Sequence, residues 1–441
     1  MLPVLIKSRL FQFESSGWKI LFVFIVLFAS CTPIKPHWLD KDGKGEWVMG
    51  EKQKKLPSNI RVIEFDELGD LWSIQQRDDA IKRIKAAKKP PLVVTFIHGW
   101  RHSASEKDAN YNSYKLFIGK LEEATKGQRE VIGIYIGWRG GSTMELGGLN
   151  KLAFLTIWNR KSATDRLAGI PLGETLWRIK KAASQDKGDS ILIGHSLGGR
   201  TIERCVGQYI IAAKHRKDGS RNGNQRIRAD GIPADLIVLI NPASESLYAS
   251  QMKQALEGWG DKFPAIISVT ADSDHATNKI WGAAMHASSI PHLYYGRRKE
   301  PLLTSNRHPE SIRELQATYL TRTAGHDDRL IDRDVREANP QRVLLSQKQV
   351  MAENVRGRTM SDCFWIAPAK DQPAKAYRLV PHTPRDEVYK KEPYGKLNGY
   401  WVLSVNSSVL KGHGGTSEKE GVFNTPMMHL MSALYGFARR P

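Results

Sequence analysis

A serine between two glycines is the first feature of this 441-residue sequence that suggests chemistry. Residues 194–198 read Gly-His-Ser-Leu-Gly and follow a short apolar run. A serine hydroxyl is a weak nucleophile alone and becomes reactive when a neighbouring base takes its proton. Glycines on both sides let the chain turn sharply, so that the central residue is exposed in a strained backbone conformation. The spacing predicts Ser196 as a nucleophile, with Gly194 and Gly198 making room; the alternative is a serine in an ordinary tight turn.

The elements on either side of Ser196 fit this prediction. Residues 190–195 predict a buried strand, and residues 199–213 predict a helix with one apolar face. A G-x-S-x-G sequence between a strand and a helix is the nucleophile elbow. Ser196 then stands at a helix N-terminus, where the helix dipole and the free N–H of Leu197 stabilise developing negative charge. The sequence therefore predicts Leu197 as one oxyanion donor.

Strand and helix patterns alternate along most of the chain. Apolar runs predict further strands at 60–65, 90–100, 130–138, 234–242, 263–271 and 400–408. Helical spacing or composition predicts helices at 73–89, 104–126, 171–186, 245–257 and 424–438. Such alternation indicates an α/β fold with a mainly parallel sheet and helices on both faces.

Two stretches interrupt the alternation. Residues 139–170 are first glycine-rich and then apolar, which suggests a lid over the site. Residues 282–395 are long, basic and proline-rich, and we predict an inserted subdomain of unknown fold. The predicted organisation is a signal or anchor segment at 1–31, a linker at 32–58, a core at 59–281 and its completion at 396–441. That last part holds the final strand, a histidine-containing loop and a helix.

The chain resembles the α/β-hydrolase superfamily from about residue 60 to its C-terminus, leaving out 282–395. The resemblance rests on FIHGW at 96–100, GHSLGG at 194–199 and the late HGG loop at 413–415. Within the superfamily, these motifs and the long signal look like bacterial hydrolases of unassigned substrate. The resemblance implies an α/β-hydrolase fold and a serine esterase or lipase-like activity that needs no cofactor and no metal.

The resemblance also implies the second oxyanion donor. In the superfamily, the backbone N–H that follows His-Gly after the third strand donates this hydrogen bond, and here that residue is Trp100. The HGGG form found in lipases is absent. The alternative is a simple turn at the end of a strand.

The base and the acid follow Ser196 in the superfamily's chain order of serine, acid and histidine. His413 lies in a glycine-rich loop between the last strand and the final helix, where members of the superfamily carry their histidine. The other histidines considered are less well placed: His195 flanks the nucleophile, His429 lies on the final helix, and His326 and His382 lie in the insert.

The acid is expected after a late strand. The run 263–271 continues into Asp272, Ser273 and Asp274. Asp274 is preferred because the superfamily's loop often reads Asp followed shortly by Ala-Thr, as here at 276–277. Asp272 and, after the preceding strand, Glu245 remain alternatives. The acid would hold the tautomer of His413 and stabilise its charged form.

The composition is strongly basic. Lys and Arg number 66 against 46 Asp and Glu, giving a formal net charge of +20. Such an excess favours contact with anionic surfaces such as phospholipid headgroups, although it is also compatible with a diffusely charged soluble surface. No zinc-finger spacing or aromatic RNA-binding motif is present, so nucleic acid is not an expected partner. The three cysteines have neither metal-site spacing nor the pattern of a disulfide framework.

The N-terminus predicts export. Basic residues precede an apolar run at 20–29, which Ser30 and Cys31 follow. A basic leader, a short apolar core and small residues describe a secretory signal, and the run is shorter than a membrane span requires. FASCTP at 28–33 resembles a bacterial lipoprotein signal with Cys31 as the lipidated residue, although Phe28 departs from the usual leucine. We expect an exported, membrane-associated protein of the cell envelope or periplasm, with an uncleaved anchor as the alternative.

Together these features predict a serine hydrolase that cleaves carboxylic esters, with lipid acyl esters among the candidate substrates. The alternative is a catalytically silent, membrane-associated protein of the same fold that binds an envelope component. A silent protein has no need to keep a serine, an acid and a histidine in the required order, which favours the enzyme.

Overall fold

The computed structural model describes residues 35–141, 157–185, 187–215, 232–256, 265–286, 319–338, 363–366, 375–383, 399–414 and 421–438. The predicted signal with Cys31, residues 142–156 of the predicted lid and much of the predicted insert lie outside these ranges. Among the described residues, no helix is both long and apolar enough to cross a bilayer.

The strands and helices are numbered here in chain order. The strands are β1 Asp40–Lys41, β2 Trp47–Val48, β3 Ile60–Glu64, β4 Pro91–Ile97, β5 Glu130–Gly137, β6 Asp189–His195, β7 Leu236–Ile240, β8 Ile266–Ala271, β9 Arg333–Ala338, β10 Cys363–Ile366, β11 Lys375–Pro381 and β12 Tyr400–Val405. The α-helices are α1 Glu51–Lys54, α2 Ile74–Lys85, α3 Ala109–Ala124, α4 Ile157–Leu167, α5 Ile170–Gln185, α6 Leu197–His215, α7 Ser246–Ala255 and α8 Thr425–Ala438.

A single large sheet organises the described chain, in the order β10-β11-β9-β12-β8-β7-β6-β4-β5-β3. From β9 to β3 every neighbouring pair is parallel, and only β10 and β11 are antiparallel additions at one edge. The central strands β4, β7 and β8 are buried along their whole length. Separate apolar clusters cover the two faces of the sheet. The predicted α/β-hydrolase fold is thereby confirmed.

Some element boundaries differ from the prediction for local reasons. Helix α3 begins at Ala109 rather than near 104, because the Asp108 side chain caps it by accepting a hydrogen bond from the Asn110 N–H at 2.8 Å. Helix α6 begins at Leu197, directly after the predicted nucleophile.

Parts of the predicted linker and insert pack against the core. In the linker, Trp38 is 4% exposed and Leu39 is fully buried, and β1 and β2 form a short antiparallel pair. In the insert, β9 pairs in parallel with β12 and extends the core sheet. Trp38 and Val335 explain this packing, because both belong to the apolar cluster that covers one face of the sheet.

A buried carboxyl links α6 to the last core strand. Glu203 is 3% exposed, and the Tyr400 hydroxyl donates a hydrogen bond to its Oε1 at 2.6 Å. Burial disfavours the charged form and raises the pKa of Glu203 to about 7, despite hydrogen bonds that act in the opposite direction. The native state therefore retains a proton that the unfolded chain releases above its ordinary carboxyl pKa.

We expect Glu203→Gln to change how stability depends on pH. A raised native pKa makes the wild type lose stability as the pH rises from the ordinary carboxyl range through about 7. Glutamine still accepts the Tyr400 hydrogen bond but does not titrate. Across this pH window, the free energy of unfolding of the variant should therefore rise relative to that of the wild type by about 3 kcal/mol. Chemical unfolding of both proteins at pH values on either side of the window measures this. Glu123→Gln, at an exposed position on α3, is the control; an equal pH dependence of wild type and Glu203→Gln would contradict the prediction.

Candidate active site

The serine lies at a sharp turn between β6 and α6. Ser196 has a φ of 55°, a left-handed conformation that is uncommon for a residue with a side chain. Added Cβ atoms show why glycines flank it. At Gly194 a Cβ would lie 2.6 Å from the Ile202 side chain, and at Gly198 it would overlap the Ile97 carbonyl oxygen. The spacing seen in the sequence thus corresponds to close backbone packing around a strained serine.

The three residues predicted to react together are in contact. The Ser196 Oγ lies 2.7 Å from Nε2 of His413, and Nδ1 of His413 lies 2.8 Å from Oδ2 of Asp274. In the tautomer that this geometry favours, Nδ1–H donates to the carboxylate and Nε2 accepts from the serine hydroxyl. The serine proton can therefore pass to a base that an acid orients.

Asp274 is held as an anion from several sides. Its Oδ1 accepts from the Ala276 and Thr277 N–H groups, at 2.9 and 3.2 Å, at the start of a π-helical turn Ala276–Ile280. Its Oδ2 accepts from the Thr277 hydroxyl at 2.5 Å in addition to His413. Full burial alone would raise the pKa of Asp274, but these hydrogen bonds and the charge of His413 outweigh it and hold the pKa at about 2.

The two alternative acids point elsewhere. The Asp272 side chain is exposed, and its backbone N–H donates to the Val405 carbonyl as the strand ends. Glu245 is 6% exposed and pairs with Arg200 and, at 2.7 Å, with Lys161. Two of the other histidines likewise have partners of their own. His382 pairs with Asp334, and His326 contacts Thr323.

His195 neighbours the serine and supports the His413 loop. It is 3% exposed, and its Nε2 lies 2.7 Å from the His413 carbonyl oxygen. Burial, together with the charge of His413, lowers the pKa of His195 to about 3. His195 is therefore neutral at neutral pH, with Nε2–H donating to the loop backbone.

Two further side chains hold the same loop, and sequence reasoning missed both. The Asn241 Nδ2 donates to the Gly412 carbonyl oxygen at 3.0 Å, and its Oδ1 accepts from the Ala271 N–H at 2.8 Å. The Gly412 N–H donates to the Ser273 Oγ at 3.1 Å. Asn241 follows β7 with a φ of 44°, a conformation that asparagine tolerates better than most residues. Asn241 thus connects the end of β8, which leads to Asp274, with the loop that carries His413.

The loop after β4 approaches the serine closely. At Gly99 an added Cβ would lie 2.8 Å from the Ser196 Cβ. The buried His98 lies 3.0 Å through Nδ1 from the Gly99 carbonyl oxygen, and its Nε2 accepts from the Trp138 N–H at 3.2 Å. Burial lowers the pKa of His98 to about 4, so the neutral ring donates from Nδ1. This contact fixes the Gly99–Trp100 peptide plane, whose N–H is the predicted donor.

The other predicted oxyanion donor belongs to a helix end. Leu197 is the first residue of α6. The first N–H groups of a helix have no acceptor within it, and the helix dipole adds partial positive charge there.

Within the described residues, no group of three or more His, Cys, Asp or Glu side chains is arranged to hold a metal ion. The contacts among Ser196, His413 and Asp274 can generate a serine nucleophile, and the backbone N–H groups predicted to bind an oxyanion, those of Leu197 and Trp100, belong to the residue after Ser196 and to the loop that approaches it.

Comparisons with known proteins add little to this geometry. No family model matches the sequence, and no curated protein matches it. A structural similarity was found to the crystal structure of LpqC, a poly(3-hydroxybutyrate) depolymerase from Bordetella parapertussis. It covers 80% of this chain and 82% of that chain at 13% identity, with a TM-score of 0.29. At this score, the likeness supports no conclusion about the present chain.

Proposed function

We propose that this protein is a serine hydrolase that cleaves carboxylic esters through an acyl-enzyme intermediate. The observation that carries the proposal is the continuous contact from Ser196 Oγ through His413 to Asp274, at 2.7 and 2.8 Å. Nucleophile, base and orienting acid in hydrogen-bond reach of one another are what acyl transfer to a hydroxyl requires.

The proposed reaction has two halves. Ser196 Oγ attacks the ester carbonyl carbon while His413 Nε2 takes the serine proton, and the Leu197 and Trp100 N–H groups bind the oxyanion. The ester C–O bond then breaks, and His413 returns the proton to the leaving alcohol. In the second half, water gives its proton to His413 and attacks the acyl carbon, which releases the carboxylic acid and restores the Ser196 hydroxyl.

The proposed substrates are esters with a long acyl chain, at a membrane. The basic composition and the N-terminal signal, with Cys31 as the proposed lipidation site, support an exported protein attached to the cell envelope. The decisive assay is hydrolysis of p-nitrophenyl esters of graded acyl length by wild type and Ser196→Ala. A rate that rises with acyl length and depends on Ser196 supports this substrate class, whereas activity on acetyl or butyryl esters alone would direct the proposal to small soluble esters.

A silent binding protein would behave differently towards a fluorophosphonate. This probe phosphonylates an activated serine and does not require the natural substrate. Labelling that depends on Ser196 is expected. A folded wild-type protein that remains unlabelled would overturn the enzymatic proposal.

We expect Asn241→Gly to slow turnover on the order of 10²-fold, because small displacements of a reacting group carry costs of this size. Glycine accepts the positive φ of this position, so the substitution removes the buried side chain and its hydrogen bonds to Gly412 and Ala271 without straining the backbone. A positioning role predicts a fall in kcat with little change in KM. Asn59→Gly, before β3 at the opposite end of the sheet, is the control. A lowered melting temperature with unchanged kcat would reduce Asn241 to a merely structural role.

A further inference from the structure

The described chain begins at the same edge of the sheet as the serine. Glu64 is the last residue of β3, and its buried carboxylate accepts from the backbone N–H groups of His37 and Trp38, at 2.6 and 2.9 Å. The Trp38 indole N–H donates to the Ala104 carbonyl oxygen at 2.6 Å, in the loop that follows β4. Both contacts lie at the carboxyl ends of parallel strands, where Ser196 also lies; we call this the catalytic edge.

The distance to the proposed lipidation site is short. Cys31 precedes His37 by six residues. A fully extended chain spans at most about 3.3–3.6 Å per residue, so this stretch reaches about 20 Å. An attachment at Cys31 would therefore hold the catalytic edge, and not the opposite end of the sheet, close to the membrane surface.

Exposed apolar side chains are concentrated at the same edge. Among the described residues the large exposed ones are Leu68, Ile74, Leu116, Ile170 and Ile280, with exposures of 71, 55, 50, 80 and 50%. Leu68 lies in the loop after β3, and Ile280 ends the π-helical turn after Asp274. Ile74 and Ile170 are the first residues of α2 and α5, helices that lead back to the amino ends of the parallel strands β4 and β6. Only Leu116, midway along α3, lies elsewhere.

The opposite end of the sheet has a different surface. The loops that precede β4, β5 and β6 present exposed lysines, at positions 88, 89, 126 and 187, which outnumber the exposed Glu122 and Glu123 at the end of α3. The catalytic edge carries exposed charges of both signs, among them Arg101 and Lys107 against Asp70 and Glu106. Attraction to an anionic surface would therefore favour the lysine end, whereas apolar contact favours the catalytic edge.

We propose that the catalytic edge docks on the surface of a lipid bilayer through Leu68, Ile74, Ile170 and Ile280. This proposal rests on the proposed lipid-directed function and on attachment near Cys31. Apolar side chains at a protein rim lose contact with water when they enter the headgroup region, which stabilises this orientation. An acyl chain can then pass from the bilayer towards Ser196 with little exposure to water. Because the contact is apolar, the orientation should be insensitive to salt.

The test uses the full-length, lipid-modified chain bound to phosphatidylcholine vesicles that contain a spin-labelled quencher lipid. The chain carries Ser196→Ala, so hydrolysis cannot contribute, and Cys205→Ser with Cys363→Ser to direct labelling. An environment-sensitive fluorophore is attached to Leu68→Cys or Ile170→Cys, and to Lys88→Cys or Lys126→Cys as matched exposed controls. We expect strong quenching and a blue shift at the first two positions, unchanged in high salt, and neither at the lysine positions.

Other outcomes overturn the proposal. Quenching at Lys88→Cys and Lys126→Cys would place the lysine end on the membrane. Equal signals at all four positions would mean that the protein is attached without a preferred orientation. A protein that does not bind the vesicles would contradict the proposed attachment as well. Because the readout is independent of catalysis, these results are distinguishable from a failure of the ester assay.

Discussion

Replacing Ser196 with alanine is expected to reduce ester hydrolysis by about 10⁴- to 10⁶-fold, the range in which loss of a nucleophilic serine falls. The substitution removes the atom that would bond to the acyl carbon. It leaves the elbow intact, because alanine can occupy the same backbone conformation at the same strain as serine. Steady-state rates on p-nitrophenyl esters measure the effect, with circular dichroism to verify the fold.

Ser190→Ala is the matched control for this experiment. Ser190 is a buried serine on β6, the strand that leads to Ser196, and its hydroxyl lies 3.1 Å from Asp235, a residue outside the proposed machinery. Its replacement removes one hydroxyl from β6 and should leave turnover close to wild type. Turnover that survives Ser196→Ala would show that another group performs the reaction.

Asp274→Asn is expected to lower kcat by about 10⁴-fold, as tautomer-disrupting substitutions do in serine hydrolases. The carboxylate accepts from Nδ1–H of His413 and leaves Nε2 free to take the Ser196 proton. An asparagine can present its NH₂ group instead, which favours the opposite tautomer and blocks Nε2. Asp272→Asn is the internal control, because that side chain is exposed. A larger loss from Asp272→Asn would show that the acid had been assigned to the wrong residue.

The depressed pKa of Asp274 also bears on stability. A carboxyl whose native pKa is about 2 stabilises the fold above its ordinary pKa, and this contribution is lost as the pH falls towards 2. Asp274→Asn should therefore destabilise the protein at neutral pH, and less so in acid. Kinetic assays of the variant consequently need a temperature well below its unfolding transition.

The nucleophile elbow and the fold could both be predicted from patterns among residues that are close in the sequence. Gly194, Ser196 and Gly198 lie within five consecutive residues, and the alternation of apolar strands with helices directly indicates a parallel sheet. The choice between Asp272 and Asp274 was harder, because both follow β8 within three residues. Only the turn after the strand, in which Asp274 receives the Ala276 and Thr277 N–H groups, determines which one faces inward.

The side chains that hold the His413 loop, those of Asn241 and Ser273, could not be predicted from the sequence. Asn241 contacts Gly412 across 171 residues of chain, and Ser273 contacts it across 139. No local periodicity reports such pairs. The positive φ of Asn241 has a weak signal, an asparagine at a strand end before Pro242, but this pattern also describes ordinary turns.

The position of β12 has a consequence for synthesis. This strand lies between β8 and β9 in the sheet but follows both in the chain. Until residues 400–405 are synthesised, β8 has no partner on that side and is an open edge strand in which four of six residues are apolar, of the kind that recruits other chains. The same late segment delivers His413. A chain that stops before residue 400 thus leaves β8 open to association with other chains and also lacks His413, the proposed base.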